Sequence, residues 1–277
     1  ILAQHAESYR KIRNTFRFLL GNLNDKKNNL DINLIQTDKW PDLERFILHK
    51  VYQLSKDFDK YFKEYNFHKL YKDLANFCSL ELSSFYFDIR KDVLYCDDPL
   101  SKKRQACVSL LEIILDVLLK WFAPILSFTT EEIFQILNQG TKNSIHLQAF
   151  PEIPKKWENK KLFEKWEKFK VIRKVVNSAM EIKRANKEIG SSLEAEIKIF
   201  LDKEYLDLVK DIDLDEFFIT SKTEVEVLNS SNKSIFFKIE DIPGVEVLVK
   251  KAKGNKCPRC WKIFETLCAR CENAKII

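Results

Sequence analysis

The chain opens on a helical stripe. From about Ser8 to Leu23, Ile12, Phe16, Leu19, Leu20 and Leu23 share one face, with Arg10, Arg13 and Arg17 on the adjacent one. After a polar stretch at 24–33, Trp40-Pro41-Asp42-Leu43 opens a second helix that runs to about Lys63. Pro41 suits its first turn, where a missing N–H costs no hydrogen bond. A third helix is predicted over roughly Asn66 to Phe87. Asp98-Pro99 starts a fourth, which passes through the apolar run Ala106 to Leu126 until Pro124 breaks or kinks it. Within that run Gln105, Ser109, Glu112, Asp116 and Lys120 draw one polar stripe, the pattern of a buried amphipathic helix rather than a membrane span. Thr129 and Glu132 have capping-box spacing and predict a fifth helix carrying Ile133, Phe134 and Leu137.

The helical period stops between 138 and 159, where Gly140, Pro151 and Pro154 mark a linker. A long charged helix is predicted from Lys160 to about Lys187, with Trp166, Phe169, Ile172, Val176 and Met180 inward. After Gly190 the period becomes two: residues 193–200 alternate as a strand should, as do segments at 217–228, 234–240 and 245–249. The expected fold is therefore mainly α: a helical bundle at 1–137, the linker at 138–159, a small α/β domain at 160–253 and a cysteine-bearing module at 254–277.

Composition sharpens this outline. Of the 277 residues 45% are hydrophobic, enough for buried cores, and 32% are charged, above the roughly 25% of an average soluble chain. The five glycines form no phosphate-cradling loop. The net charge of +6 is concentrated: from Lys250 onward there are eight basic residues and two acids, leaving the remaining 249 residues neutral overall. A basic element on a neutral body is the footprint of a polyanion contact or of an acidic protein surface. The start at Ile1, with no methionine and no secretory signal, reads as a piece beginning inside a longer cytosolic protein.

Cys257-Pro258-Arg259-Cys260 and Cys268-Ala269-Arg270-Cys271 are two C-x2-C pairs separated by seven residues. Such spacing lets two knuckles close a four-thiolate structural zinc site at Cys257, Cys260, Cys268 and Cys271. Redox dithiols and an iron–sulfur cluster are the alternatives, though neither pair has the helix-start context of a redox dithiol. Trp261 follows the second cysteine. Beside Arg259, Lys262 and Arg270 it could stack on an unpaired base while the cations position phosphates, or it could pack against the metal site. Arg10, Arg13 and Arg17 could track phosphates or form a solvated face. His5, His49, His68 and His146 are scattered, and Cys78, Cys96 and Cys107 share no ligand spacing. No nucleophile or metalloprotease motif occurs.

The block Tyr9-Arg10-Lys11-Ile12-Arg13-Asn14-Thr15-Phe16-Arg17-Phe18-Leu19-Leu20-Gly21-Asn22-Leu23 resembles the opening of the anticodon-binding helical domain of bacterial isoleucyl-tRNA synthetases. The likeness continues through 85–95, 123–133, 189–195 and the cysteine pairs, over essentially the whole chain. It implies a C-terminal portion that binds tRNA(Ile) at the anticodon stem and loop, with the helical domain followed by a zinc module. In that family an aromatic in the position of Trp261 meets an anticodon base. It also implies that ATP-dependent ligation of isoleucine belongs to the parent enzyme. The adenylate-site signatures and the editing domain are absent here, so this portion alone would be neither an ATP binder nor a catalyst. The expected setting is a cytoplasmic, monomeric parent, whose catalytic and editing domains would be further partners and which touches no membrane. One departure stands out: the seven residues between the cysteine pairs form a shorter knob than is common in the family.

Overall fold

The structure, a computed structural model, describes residues 2–23, 36–139, 142–228, 236–266 and 268–273. The polar stretch 24–33, Gly140, Lys275 and residues 234–235 of the predicted 234–240 strand lie outside the described residues. The chain divides into two compact units, the first Ile1–Arg90 with Pro99–Lys160, the second Lys91–Asp98 with Lys161–Ile277.

The first unit is helical. Helices α1 (Leu2–Leu23), α2 (Asp42–Lys63) and α3 (Phe67–Asn76) precede a π-helical stretch, Phe77–Tyr86, which continues into α4 (Phe87–Cys96), whose residues from Lys91 on group with the second unit. Helices α5 (Lys102–Phe122) and α6 (Ser127–Leu137) follow, and two 3-10 turns, Ile145–Leu147 and Lys155–Trp157, occupy the stretch read as a linker. Ile145 and Trp157 are both buried there. Every residue of the α1 apolar stripe except Leu20 is buried. Ring contacts knit the core: Phe16 meets Phe122 edge-on at 6.0 Å, and Phe58 stacks on Trp121 at 5.2 Å.

Three helix ends differ from the sequence expectation. Pro41 occupies the cap position before α2 rather than its first turn. Helix α5 starts after Asp98-Pro99 because Ser101 caps it, accepting the Arg104 N–H at 3.2 Å. The Thr129/Glu132 capping box does not form. Helix α6 begins earlier, behind Leu126, so Thr129 lies inside the helix and its hydroxyl meets Tyr9 Oη at 2.9 Å.

The predicted third helix also runs on past Phe87, through the π stretch. There the Cys78 carbonyl accepts the Ser83 hydroxyl at 2.9 Å and the Thr15 hydroxyl at 3.4 Å, side-chain partners for a widened turn. At the start of α4, Arg90 Nε and Nη2 donate to the two Glu44 oxygens at 2.6 and 2.8 Å, and the Tyr86 hydroxyl donates to Glu44 Oε1 at 3.0 Å. All three groups are buried, so this is a desolvated but fully paired carboxylate.

The second unit contains α7 (Lys160–Ala185), β1 (Ala195–Leu201), α8 (Lys203–Val209), α9 (Leu214–Phe217), β2 (Lys222–Val227), β3 (Phe237–Ile239) and β4 (Ile242–Lys251). The sheet order is β2-β1-β4-β3, with β1 and β2 parallel and the other pairs antiparallel. Helices α8 and α9 fill the crossover that a parallel pair requires. Period-two burial is clear in β4, where Val245, Val247 and Val249 turn inward. Trp166, Phe169, Ile172, Val176 and Met180 of α7 are buried, and Trp166 and Phe169 meet Phe217 of α9 edge-on at 5.7 and 5.8 Å. Gly244, at φ +83°, lets its carbonyl accept the Asp202 N–H at 3.0 Å; a Cβ there would collide with the Asp202 carboxylate.

Candidate functional site

The cysteine module starts with a two-stranded hairpin, β5 (Asn255–Lys256) against β6 (Ile263–Phe264), and ends in a short helix, α10 (Ala269–Asn273). Gly254, at φ +122°, enters the hairpin where a Cβ would strike the Phe264 carbonyl. Between the strands the chain turns tightly: the Trp261 N–H donates to the Cys257 carbonyl at 3.0 Å, and the Cys257 N–H donates to the Lys262 carbonyl at 2.9 Å. At the second pair, the Cys271 and Glu272 N–H groups both donate to the Cys268 carbonyl.

These turns bring the four thiols together. The sulfurs of Cys257, Cys260, Cys268 and Cys271 all lie within 4.8 Å of one another, and Cys260 Sγ and Cys268 Sγ are 3.8 Å apart. A tetrahedron with metal–sulfur bonds of about 2.3 Å has edges of about 3.8 Å, so the cluster has the size a four-thiolate ion needs. The chemistry agrees. Burial pushes the Cys257 thiol up, but the backbone N–H groups of Cys260 and Arg259 outweigh it and bring the thiol to about 7. Burial raises Cys260 and Cys271, and the neighbouring sulfurs raise Cys271 further. One thiolate forms readily, and four together require a compensating cation.

Trp261 is 59% exposed, its φ is +66°, and the Lys256 ammonium sits 5.5 Å from the ring centroid. A left-handed backbone costs a side-chain-bearing residue roughly 1–2 kcal/mol. The turn thus presents an indole outward in a conformation that glycine would adopt more easily. Arg259 Nη1 donates to the Cys271 carbonyl at 3.5 Å, and Lys262 is half-buried. Arg270 is bidentate to Asp92, at 2.6 and 2.9 Å, and reaches Asp97 at 3.5 Å. Burial pushes the Asp92 carboxyl up, but the Arg270 guanidinium more than offsets this and holds it below the usual carboxylate range.

Arg10, Arg13 and Arg17 belong to the first unit, on the exposed side of α1. Arg10 pairs with Glu7, while Arg13 donates to Tyr9 Oη at 3.2 Å and to Glu132 at 3.5 Å. Arg13 and Arg17 rim a groove of about 350 Å³ whose floor is Phe16, Leu20, Ile133 and Ile136. Of the scattered histidines, His49 is buried and its Nδ1 accepts the Asn159 N–H at 2.8 Å. Among the described residues the four module cysteines form the one group able to hold a metal ion.

The groups that seat this module carry no sequence signal. Cys96 is buried against Cys257 and Cys260, and its thiol donates to the Arg259 carbonyl at 3.8 Å. The Ser221 hydroxyl accepts the Ile263 N–H at 2.6 Å and donates to the Leu193 carbonyl. Asp92 and Asp97 hold Arg270. All lie far from the cysteine pairs in sequence, and no local spacing marks them.

Residues 44–199, more than half the chain, match the family described as the anticodon-binding domain of tRNA ligase. The chain is 50% identical over 272 residues to the isoleucine–tRNA ligase of Pelagibacter ubique, a match covering 98% of this chain and 28% of that protein. It is 40% identical over 268 residues to the isoleucine–tRNA ligase of Bradyrhizobium diazoefficiens, covering 96% and 26%. For that of Natranaerobius thermophilus the identity is 37% over 284 residues, covering 99% and 30%. The chain therefore spans little more than a quarter of the length of these relatives. With residues 44–199 matched, the chain belongs to the family described as the anticodon-binding domain of tRNA ligase.

Proposed function

We propose that this chain is the C-terminal tRNA-binding portion of a cytoplasmic isoleucine–tRNA ligase and holds the anticodon stem and loop of isoleucine tRNA. The observation that carries the reading is the exposed Trp261, held at positive φ on a basic four-cysteine turn in a chain of this family. In this reading Cys257, Cys260, Cys268 and Cys271 hold one structural Zn2+, which closes the turn and leaves no open position for catalysis. Trp261 stacks on an unpaired anticodon base, with Lys256 nearby to meet phosphate. Arg259 and Lys262 contribute cationic field at the knuckle, and Arg13 and Arg17 do so along the α1 groove, with Arg10 beside them. The parent enzyme supplies ATP-dependent ligation from its catalytic domain and editing from another, and the present portion alone performs neither. The domain limits drawn from the sequence, 1–137, 160–253 and 254–277, are part of the same proposal.

Competition tests it. A hairpin of the anticodon stem and loop should displace full-length isoleucine tRNA from the zinc-loaded chain, and a hairpin of the acceptor stem should not. Displacement by the acceptor hairpin alone would overturn the reading. Affinity should also fall steeply with added salt, because each phosphate contact releases counterions.

A further inference from the structure

The knuckle has almost no apolar core: its buried cluster is Cys257 and Cys260 with Cys96, flanked by Phe264, Cys268 and Cys271. Two-residue strands and a five-residue helix cannot fix their own orientation on the unit that carries them. Contacts beyond the module must do so. Ser221 holds the hairpin side, through the Ile263 N–H. On the α10 side stands Arg270, with Asp92 and Asp97 from the stretch Lys91–Asp98, which groups with the same unit.

We propose that Arg270 is a positioning residue, clamped by Asp92 and Asp97, that sets the orientation of the knuckle and thereby of Trp261; it does not contact phosphate. This rests on the tRNA-reading function proposed above. One guanidinium faces two carboxylates, so its charge and its donors are engaged within the chain rather than turned toward an approaching phosphate. The link to the indole is short. Arg270 adjoins Cys271, whose carbonyl accepts from Arg259; Arg259 lies in the first cysteine turn, and the Cys257 carbonyl of that turn accepts the Trp261 N–H. Freeing Arg270 loosens this path at its anchored end.

The experiment compares Arg270→Gln, Asp92→Asn and the wild-type zinc-loaded chain, each with and without Trp261→Ala. Zinc content, isoleucine tRNA affinity across a salt series, and amide hydrogen exchange at residues 257–264 without RNA are measured. Both clamp variants should keep their zinc and exchange faster at the knuckle. Each should bind tRNA about fivefold more weakly, a loss on the scale of one poorly placed stack. The salt slope should match that of wild type, and the loss should vanish in the Trp261→Ala background. If Arg270→Gln instead lowers the slope by about one phosphate while Asp92→Asn binds as well as wild type or better, Arg270 is a phosphate contact and the proposal falls. Unchanged exchange in both variants also overturns it. Should Asp92→Asn release zinc, Asp97→Asn removes only the 3.5 Å arm and should move every readout the same way by less. A wild-type chain that fails to bind tRNA would refute the function reading, while the exchange arm would still judge the clamp.

Discussion

In the helical unit, Phe16, Phe46, Phe58, Trp121 and Phe122 are each at most 2% exposed and fill a core built from several helices. In the knuckle the corresponding places are taken by cysteine sulfurs with Phe264 beside them, and the larger aromatic, Trp261, faces out. The helical unit is held by burial, where every lost methylene is felt. The knuckle is suited to being held by an ion it can bind, which frees its surface side chains from packing. A turn closed by ligands can therefore display an indole at a strained φ that a small apolar core would not hold.

The largest expected effect separates the two regions. Chelation, or Cys260→Ser, should unfold the knuckle and leave the helical signal of the bundle nearly intact, because structural zinc supplies on the order of 10 kcal/mol to a small module. Metal release followed beside far-ultraviolet circular dichroism checks this, and parallel loss of helix would break the comparison. Next comes the converse lesion. Glu44→Gln removes the carboxylate that the buried Arg90 guanidinium holds through two hydrogen bonds and should cost the bundle about 3 kcal/mol in a denaturant titration, with the metal content unchanged.

A smaller effect follows from His49. Burial lowers its proton affinity in the folded state, and its Nδ1 is occupied in accepting the Asn159 N–H. The unfolded chain then binds that proton more readily, so the contribution is fully present above pH of about 6.5 and is lost as pH falls below it. Loss of that hydrogen bond is worth about 1 kcal/mol, and His49→Gln should flatten the acid limb of bundle stability. The smallest is Trp261→Gly. It should relieve the left-handed strain and stabilise the metal-loaded knuckle by about 1 kcal/mol while weakening RNA binding, the signature of a residue kept for contact rather than packing.

How far the sequence reached differs between the regions in the same physical terms. The stripes of α1 and α7 and the alternation of β4 are periodic, so these elements could be read from pattern. The cysteine spacing, a local property, brought four sulfurs into one cluster as expected. Helix ends were less legible. The Thr129/Glu132 pattern matched a capping box, yet tertiary packing gave Thr129 to Tyr9, and the π stretch after Asn76 depends on hydroxyls from Ser83 and from Thr15 on another helix. Arg270 shows the clearest limit. Its basic neighbours in sequence suggested phosphate, but its partners Asp92 and Asp97 lie more than 170 residues away.

The most direct test of the anticodon-reading claim is the ratio of affinities for isoleucine tRNA and for the same tRNA with its anticodon replaced, measured on the zinc-loaded chain with Trp261 and with Trp261→Ala. The expected result is a clear preference for the isoleucine anticodon that Trp261→Ala lowers by about fivefold or more, the weaker limit of one base–aromatic stack. Equal affinity for both tRNAs, unchanged by Trp261→Ala, would contradict the account and leave a basic metal-binding knob with no reading function.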